Sequence, residues 1–176
     1  KLTNEEKNMI TVEIVLGMRY FHKNNYMHRD LKSTHILLNK ENHVRLSGFI
    51  LAKEEKLDES QTKGIGTLRF MAPELFYDDE SDNKYTRKID VYSFGIILCY
   101  IITGKYPPFS MRKIVTGKPP TLPENITHWA HDLILSCLSF DSEKRPSFAE
   151  ILEIMKKNNF DLFSDSNGQN LKGNQI

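Results

Sequence analysis

The segment M27-H-R-D-L-K-S-T-H-I-L-L-N-K-E-N-H-V-R-L-S-G-F-I50 decides the fold. Two short apolar runs, I36-L-L38 and V44-R-L46, flank the polar N39-K-E-N-H43, a pattern that predicts a small two-stranded ribbon. The charged M27-H-R-D-L-K32 leads directly into it. On the amino-terminal side, Thr3-x-x-Glu6 is a capping box, and Ile10, Ile14, Met18 and Phe21 form one apolar stripe of a helix. On the carboxy-terminal side, residues 50–69 have no sustained period and read as a long loop. A helix over 87–103 follows; it is apolar all round from Ile96 to Ile102, and so is expected in the centre of the fold. Gly104 and Pro107-Pro108 end it. Further helices are predicted over about 126–138 and 147–157, the latter opened by the capping box Ser147-x-x-Glu150. The fold class is mainly α, a helical unit carrying a short β ribbon.

Composition excludes several functions. A chain of 176 residues, 39% hydrophobic and 27% charged, suits one domain with a proper core. A net charge of +1 gives no broad attraction to nucleic acid or to an anionic membrane, and neither is expected as a partner. The apolar run from Ile96 to Ile102 is far shorter than the roughly 20 residues that span a bilayer. Cys99 and Cys137 alone make no disulfide framework, which favours an intracellular, reducing setting. The Asn-, Gly- and Ser-rich stretch 158–176 has little to bury and reads as a polar, disordered tail.

Five segments in order, H28-R-D-L-K-S-T-H-I-L-L38, S47-G-F-I50, G66-T-L-R-F-M-A-P-E74, D90-V-Y-S-F-G95 and R145-P-S-F148, resemble the carboxy-terminal lobe of a eukaryotic protein kinase over about residues 1–157. Lys32 and the wording of residues 66–74 resemble the serine/threonine enzymes of the tyrosine-kinase-like branch. The resemblance makes Asp30 the group that orients and deprotonates a substrate hydroxyl, Lys32 the cation facing the transferred phosphoryl group, and Thr67 the link that closes the docking loop. It makes His28 and Phe49 part of a hydrophobic column anchored by Asp90. Glu74 and Arg145 become an ion pair under the loop's end. Arg29 would receive a phosphate placed on Ser60 or Thr62.

Two positions break the pattern. The family holds two Mg2+ ions with an Asn five residues after the catalytic Asp and with the Asp of D-F-G; here those positions carry His35 and Gly48. Mg2+ is a hard cation that seeks oxygen ligands in a tight octahedron, so an imidazole is a poor substitute and glycine offers nothing. A unit charge pair about 4 Å apart near a protein surface is worth about 4 kcal/mol, so losing the carboxylate costs roughly a thousandfold in rate or affinity. Ile50 stands where the family has the glycine of D-F-G, so this segment should turn less freely.

The glycine-rich loop, strand lysine and helix glutamate of a nucleotide-binding lobe do not occur in these 176 residues. The expectation is a lobe over 1–157 without its amino-terminal lobe, followed by the tail at 158–176. Its function is expected to be that of a catalytically impaired pseudokinase acting as a binding or scaffolding module. A protein partner would sit on the face that meets the other lobe, and no metal or cofactor is expected. The alternatives are an active serine/threonine kinase using Mg-ATP whose other lobe lies outside this chain, or a truncated product without function.

Overall fold

Helix α1 (Asn4–Lys23) begins where its capping box says. The Thr3 hydroxyl accepts from the Glu6 amide at 3.2 Å, and the Glu6 carboxylate accepts from the Thr3 amide at 2.7 Å. The computed structural model describes residues 2–54, 68–76, 85–107, 122 and 126–163. The buried stripe of α1 is Ile10, Thr11, Ile14, Val15, Met18 and His22. Phe21, expected at the end of that stripe, is only half-buried and turns towards Tyr26 and Phe49 instead. The burial steps from Met18 to His22, one helical turn on, because a buried carboxylate waits there.

The chain then runs through β1 (Tyr26–Met27), β2 (Ile36–Leu38), β3 (Val44–Leu46) and β4 (Lys53–Glu54). β2 and β3 pair antiparallel with Ile36 opposite Leu46 and Leu38 opposite Val44, which is the expected ribbon. Its turn is shaped by Asn39, whose side-chain oxygen accepts from the amides of Glu41 and His43. Glu13 ties the ribbon to α1 by accepting from the Val44 amide and the His43 ring, both at 2.6 Å. Burial pushes the Glu13 carboxyl up, but these donors outweigh it and hold the group below its ordinary value. The second ribbon, β1 with β4, lies partly in the stretch expected to be pure loop. Two-residue strands leave no period to read.

Helix α2 (Lys88–Thr103) is the centre of the core, with every residue from Ile89 to Cys99 buried. Gly95 lets α3 (His128–Cys137) approach, since a β-carbon there would stand 2.9 Å from Cys137 Cβ and from a Leu138 methyl. Burial pushes the Cys137 thiol up to about 12 and the Cys99 thiol up to about 11, so both are inert packing groups at neutral pH. Helix α4 (Phe148–Lys157) packs Phe148 edge-on against Phe94 and His22. Among the described residues no helix is long and apolar enough to cross a membrane.

The Ser147 hydroxyl accepts from the Glu150 amide at 3.2 Å and the Glu150 carboxylate accepts from the Ser147 amide at 2.7 Å, closing the second capping box. Those bonds from Ser147 hold the Glu150 carboxyl below its ordinary value. Its contribution is therefore present at neutral pH and fades as pH falls through the lowered value. Ser147→Ala is expected to remove about 1 kcal/mol, or about 2–4 °C in Tm, readable by thermal denaturation.

The stretch read as a tail from residue 158 is corrected at its start. Asn159 and Phe160 take left-handed backbone, and the chain folds back so that Leu162 and Phe163 are buried in the core. The Leu162 amide donates to Asn8, the Leu162 carbonyl accepts from Thr127, and the Asp161 carbonyl accepts from the Trp129 indole. Residues 164–176 lie outside the described residues.

Candidate functional site

Asp90, in the first turn of α2, organises the loop between β1 and β2. Its fully buried carboxylate accepts from the His28 amide at 2.8 Å, the Arg29 amide at 2.9 Å and the His22 ring Nε2–H at 2.8 Å. Because the acceptor is a carboxylate, the His22 tautomer is set with its proton on Nε2. Three donors on one buried carboxylate are what a buried charge requires. Arg29 is thereby held at φ 70, a left-handed conformation that a side chain of its size rarely takes, so the loop depends on this anchor. His22 is the site residue that sequence reasoning missed. Its position one turn beyond Met18 on the apolar stripe was the available signal.

His28 is fully buried, meets the Phe49 ring in a tilted contact with 5.1 Å between ring centres, and bonds through Nε2 to the Ser47 carbonyl at 2.8 Å. Of the column residues expected, His28 and Phe49 are in ring contact, Phe21 meets both, and Asp90 accepts from the His28 amide. The Arg29 guanidinium lies 5.7 Å from the Tyr85 ring centre. Ser60, Thr62 and Thr67 lie outside the described residues.

Asp30 and Lys32 are brought together, with Lys32 Nζ 2.8 Å from Asp30 Oδ2. His35 closes over them: its Nδ1 donates to the Asp30 carbonyl at 2.8 Å and stands 3.5 Å from Asp30 Oδ2. The backbone of His35 is pinned as well, its amide donating to the Lys32 carbonyl and its carbonyl accepting from the Ser47 amide, both at 2.9 Å. Gly48 follows at φ 82, ψ 28, so this position uses a conformation that glycine adopts without strain. Phe49–Leu51 form one 3-10 turn in which Ile50 is 96% exposed.

The residues present do not fit the two Mg2+ ions that the resemblance implies. Position 48 supplies no ligand, and position 35 supplies an imidazole whose Nδ1 is spent on the Asp30 carbonyl. Among the described residues no three His, Cys, Asp or Glu side chains converge as a metal site. What remains at the site is a carboxylate, a hydrogen-bond acceptor, paired with a cation suited to an anion, Asp30 and Lys32.

Below the site, Arg145 is 1% exposed and makes a two-pronged ion pair with Glu74 at 2.6 and 2.7 Å. It also donates to the carbonyls of Ser139 and Lys88 and lies 5.2 Å from the Tyr92 ring centre. Burial pushes the Tyr92 phenol up to about 12, so the ring beside this cation stays neutral.

Comparison with known proteins agrees with this arrangement. The protein kinase domain family matches residues 1–155. A probable serine/threonine-protein kinase of Dictyostelium discoideum is 36% identical over 84% of this chain and 16% of its own length. A serine/threonine-protein kinase of Arabidopsis thaliana is 33% identical over 84% of this chain and 26% of its own. A serine/threonine/tyrosine-protein kinase of the same plant is 34% identical over 84% and 39% respectively. The chain therefore spans well under half of these relatives. With the Asp90-anchored loop, the Asp30–Lys32 pair and the Glu74–Arg145 pair in place, the chain belongs to the protein kinase domain family.

Proposed function

We propose that this chain is the carboxy-terminal, helical lobe of a protein kinase domain that transfers phosphate poorly or not at all, and that it works as a binding or scaffolding module inside the cell. One observation carries the reading: the two positions that should grip Mg2+ hold a histidine ring and a bare glycine. Without those oxygens the charge on a triphosphate is left uncompensated, at a loss on the order of a thousandfold. The scaffold around the defect is kept, with Asp90, His28, Phe49, Glu74 and Arg145 all engaged. Phe49, Ile50 and Leu51 are exposed in sequence, as are Leu37 and Leu38 on the ribbon, and these apolar side chains favour a protein partner over a small ligand.

The rival reading, a working serine/threonine kinase whose nucleotide-binding lobe lies elsewhere in a longer chain, is favoured by the intact Asp30–Lys32 pair. Joining this chain to a competent nucleotide-binding lobe and introducing His35→Asn with Gly48→Asp separates the two. The pair of changes is expected to raise Mg2+-dependent phosphoryl transfer by on the order of a thousandfold. An unrestored protein already as fast as the restored one would defeat the reading of an impaired enzyme.

A further inference from the structure

We propose that His35 and Gly48 form a locked pair: the imidazole is packed into the volume a side chain at position 48 would need, so position 48 cannot regain a metal ligand while His35 remains. A β-carbon built on Gly48 would stand 2.2 Å from His35 Nδ1 and 2.4 Å from both Cε1 and Cγ. Real β-carbons essentially never approach another heavy atom closer than 3.0 Å. The obstruction is three ring atoms at once, not the tip of a flexible chain.

The ring has little freedom to retreat. Its Nδ1 holds the Asp30 carbonyl at 2.8 Å, and its backbone is fixed on one side by Lys32 and on the other by Ser47. The His28 ring lies 6.0 Å away and is itself bonded to the Ser47 carbonyl. Swinging His35 out would release the part-buried Asp30 carbonyl and loosen the loop that carries the Asp30–Lys32 pair. The lock therefore joins two positions that lie well apart in sequence. In physical terms, Gly48 is required by His35, and His35 in turn takes over the space that a metal-binding carboxylate would enter. The consequence for metal rests on the function proposed above; the packing does not.

Position 48 carries two separate penalties, and a double-mutant cycle divides them. The left-handed backbone at φ 82 strains any β-carbon whatever stands at position 35. The collision with the ring exists only while His35 is present. Four versions of the 176-residue chain, unaltered, Gly48→Ala, His35→Ala and both together, are compared by thermal denaturation at pH 7.

The backbone strain is common to both backgrounds and cancels in the difference, leaving the collision as the coupling. The expected result is that Gly48→Ala lowers Tm by at least about 5 °C more when His35 is intact than in the His35→Ala background. Gly48→Asp, whose residue type tolerates left-handed backbone better, should show the same coupling with a smaller drop in the His35→Ala background. Failure of Gly48→Ala to fold with His35 intact, while the His35→Ala/Gly48→Ala double variant folds, would be the extreme form of the same outcome. Equal drops in the two backgrounds, or failure to fold in both, would overturn the lock. Because no nucleotide or metal enters the experiment, its result is independent of whether the chain is an impaired kinase.

Discussion

Asp90→Ala lowers the melting temperature of the chain by about 10 °C or more. The substitution strips the acceptor from three buried donors at once: the amides of His28 and Arg29 and the ring of His22. An orphaned buried donor costs about 1–3 kcal/mol, so a total of about 4 kcal/mol or more is expected, at about 2–4 °C per kcal/mol for a chain of this size. The loss does not stop at stability. Arg29 keeps its left-handed backbone only because the Asp90 carboxylate draws its amide inward, so the 28–30 turn is expected to relax and Asp30 with it. Asp90→Asn should fall less far. The amide oxygen can replace Oδ2 under His28 and His22, while the new NH2 faces the Arg29 amide without accepting from it. Circular dichroism melts of the two variants, with side-chain signals of His28 followed by NMR, check both statements.

The second large effect is expected at Arg145. Its guanidinium is buried, hydrogen-bonded through two nitrogens to Glu74, and further bound to the carbonyls of Ser139 and Lys88. Arg145→Ala removes all of these and leaves a gap beside Tyr92, at a cost of about 3–5 kcal/mol, or roughly 6–20 °C in Tm. Glu74 keeps about a quarter of its side chain in water, 25% by exposed surface, so the carboxylate left behind is partly solvated and the figure belongs nearer the lower bound. The informative comparison is the double variant Glu74→Ala/Arg145→Ala. Since each change alone already breaks the pair, the double should be little worse than Arg145→Ala, whereas independent contributions would add.

The parts of this fold legible in sequence are those that depend on near neighbours. Two capping boxes set the starts of α1 and α4 to within a residue, and the all-round apolar character of α2 marked it as central. The β2–β3 ribbon followed from two apolar runs around a polar turn. What escaped depends on partners far along the chain. Leu162 and Phe163 sit in a polar-looking stretch and are buried where Asn8 and Thr127 bond the Leu162 backbone and Trp129 bonds the Asp161 carbonyl. β1 and β4 are too short to carry a period and exist through each other.

The site divides in the same way. The order of motifs was enough to bring Asp30, Lys32, His28, Phe49 and Asp90 together, as well as Glu74 and Arg145. His22 was hidden because a histidine on an apolar stripe looks like packing until the buried acid beside it is known. That the His35 ring fills the space over Gly48 could not be read at all, since it follows from a left-handed backbone angle and a ring orientation rather than from residue types.

The central claim is that the oxygens needed to hold Mg2+ on a triphosphate are missing while the rest of the frame persists. Its most direct test is transfer of the γ-phosphoryl group from radiolabelled ATP to protein hydroxyls by the longest natural protein containing this chain, with saturating Mg2+, set against the same protein carrying Asp30→Asn. The same background is predicted in both. Robust incorporation that disappears with Asp30→Asn would contradict it.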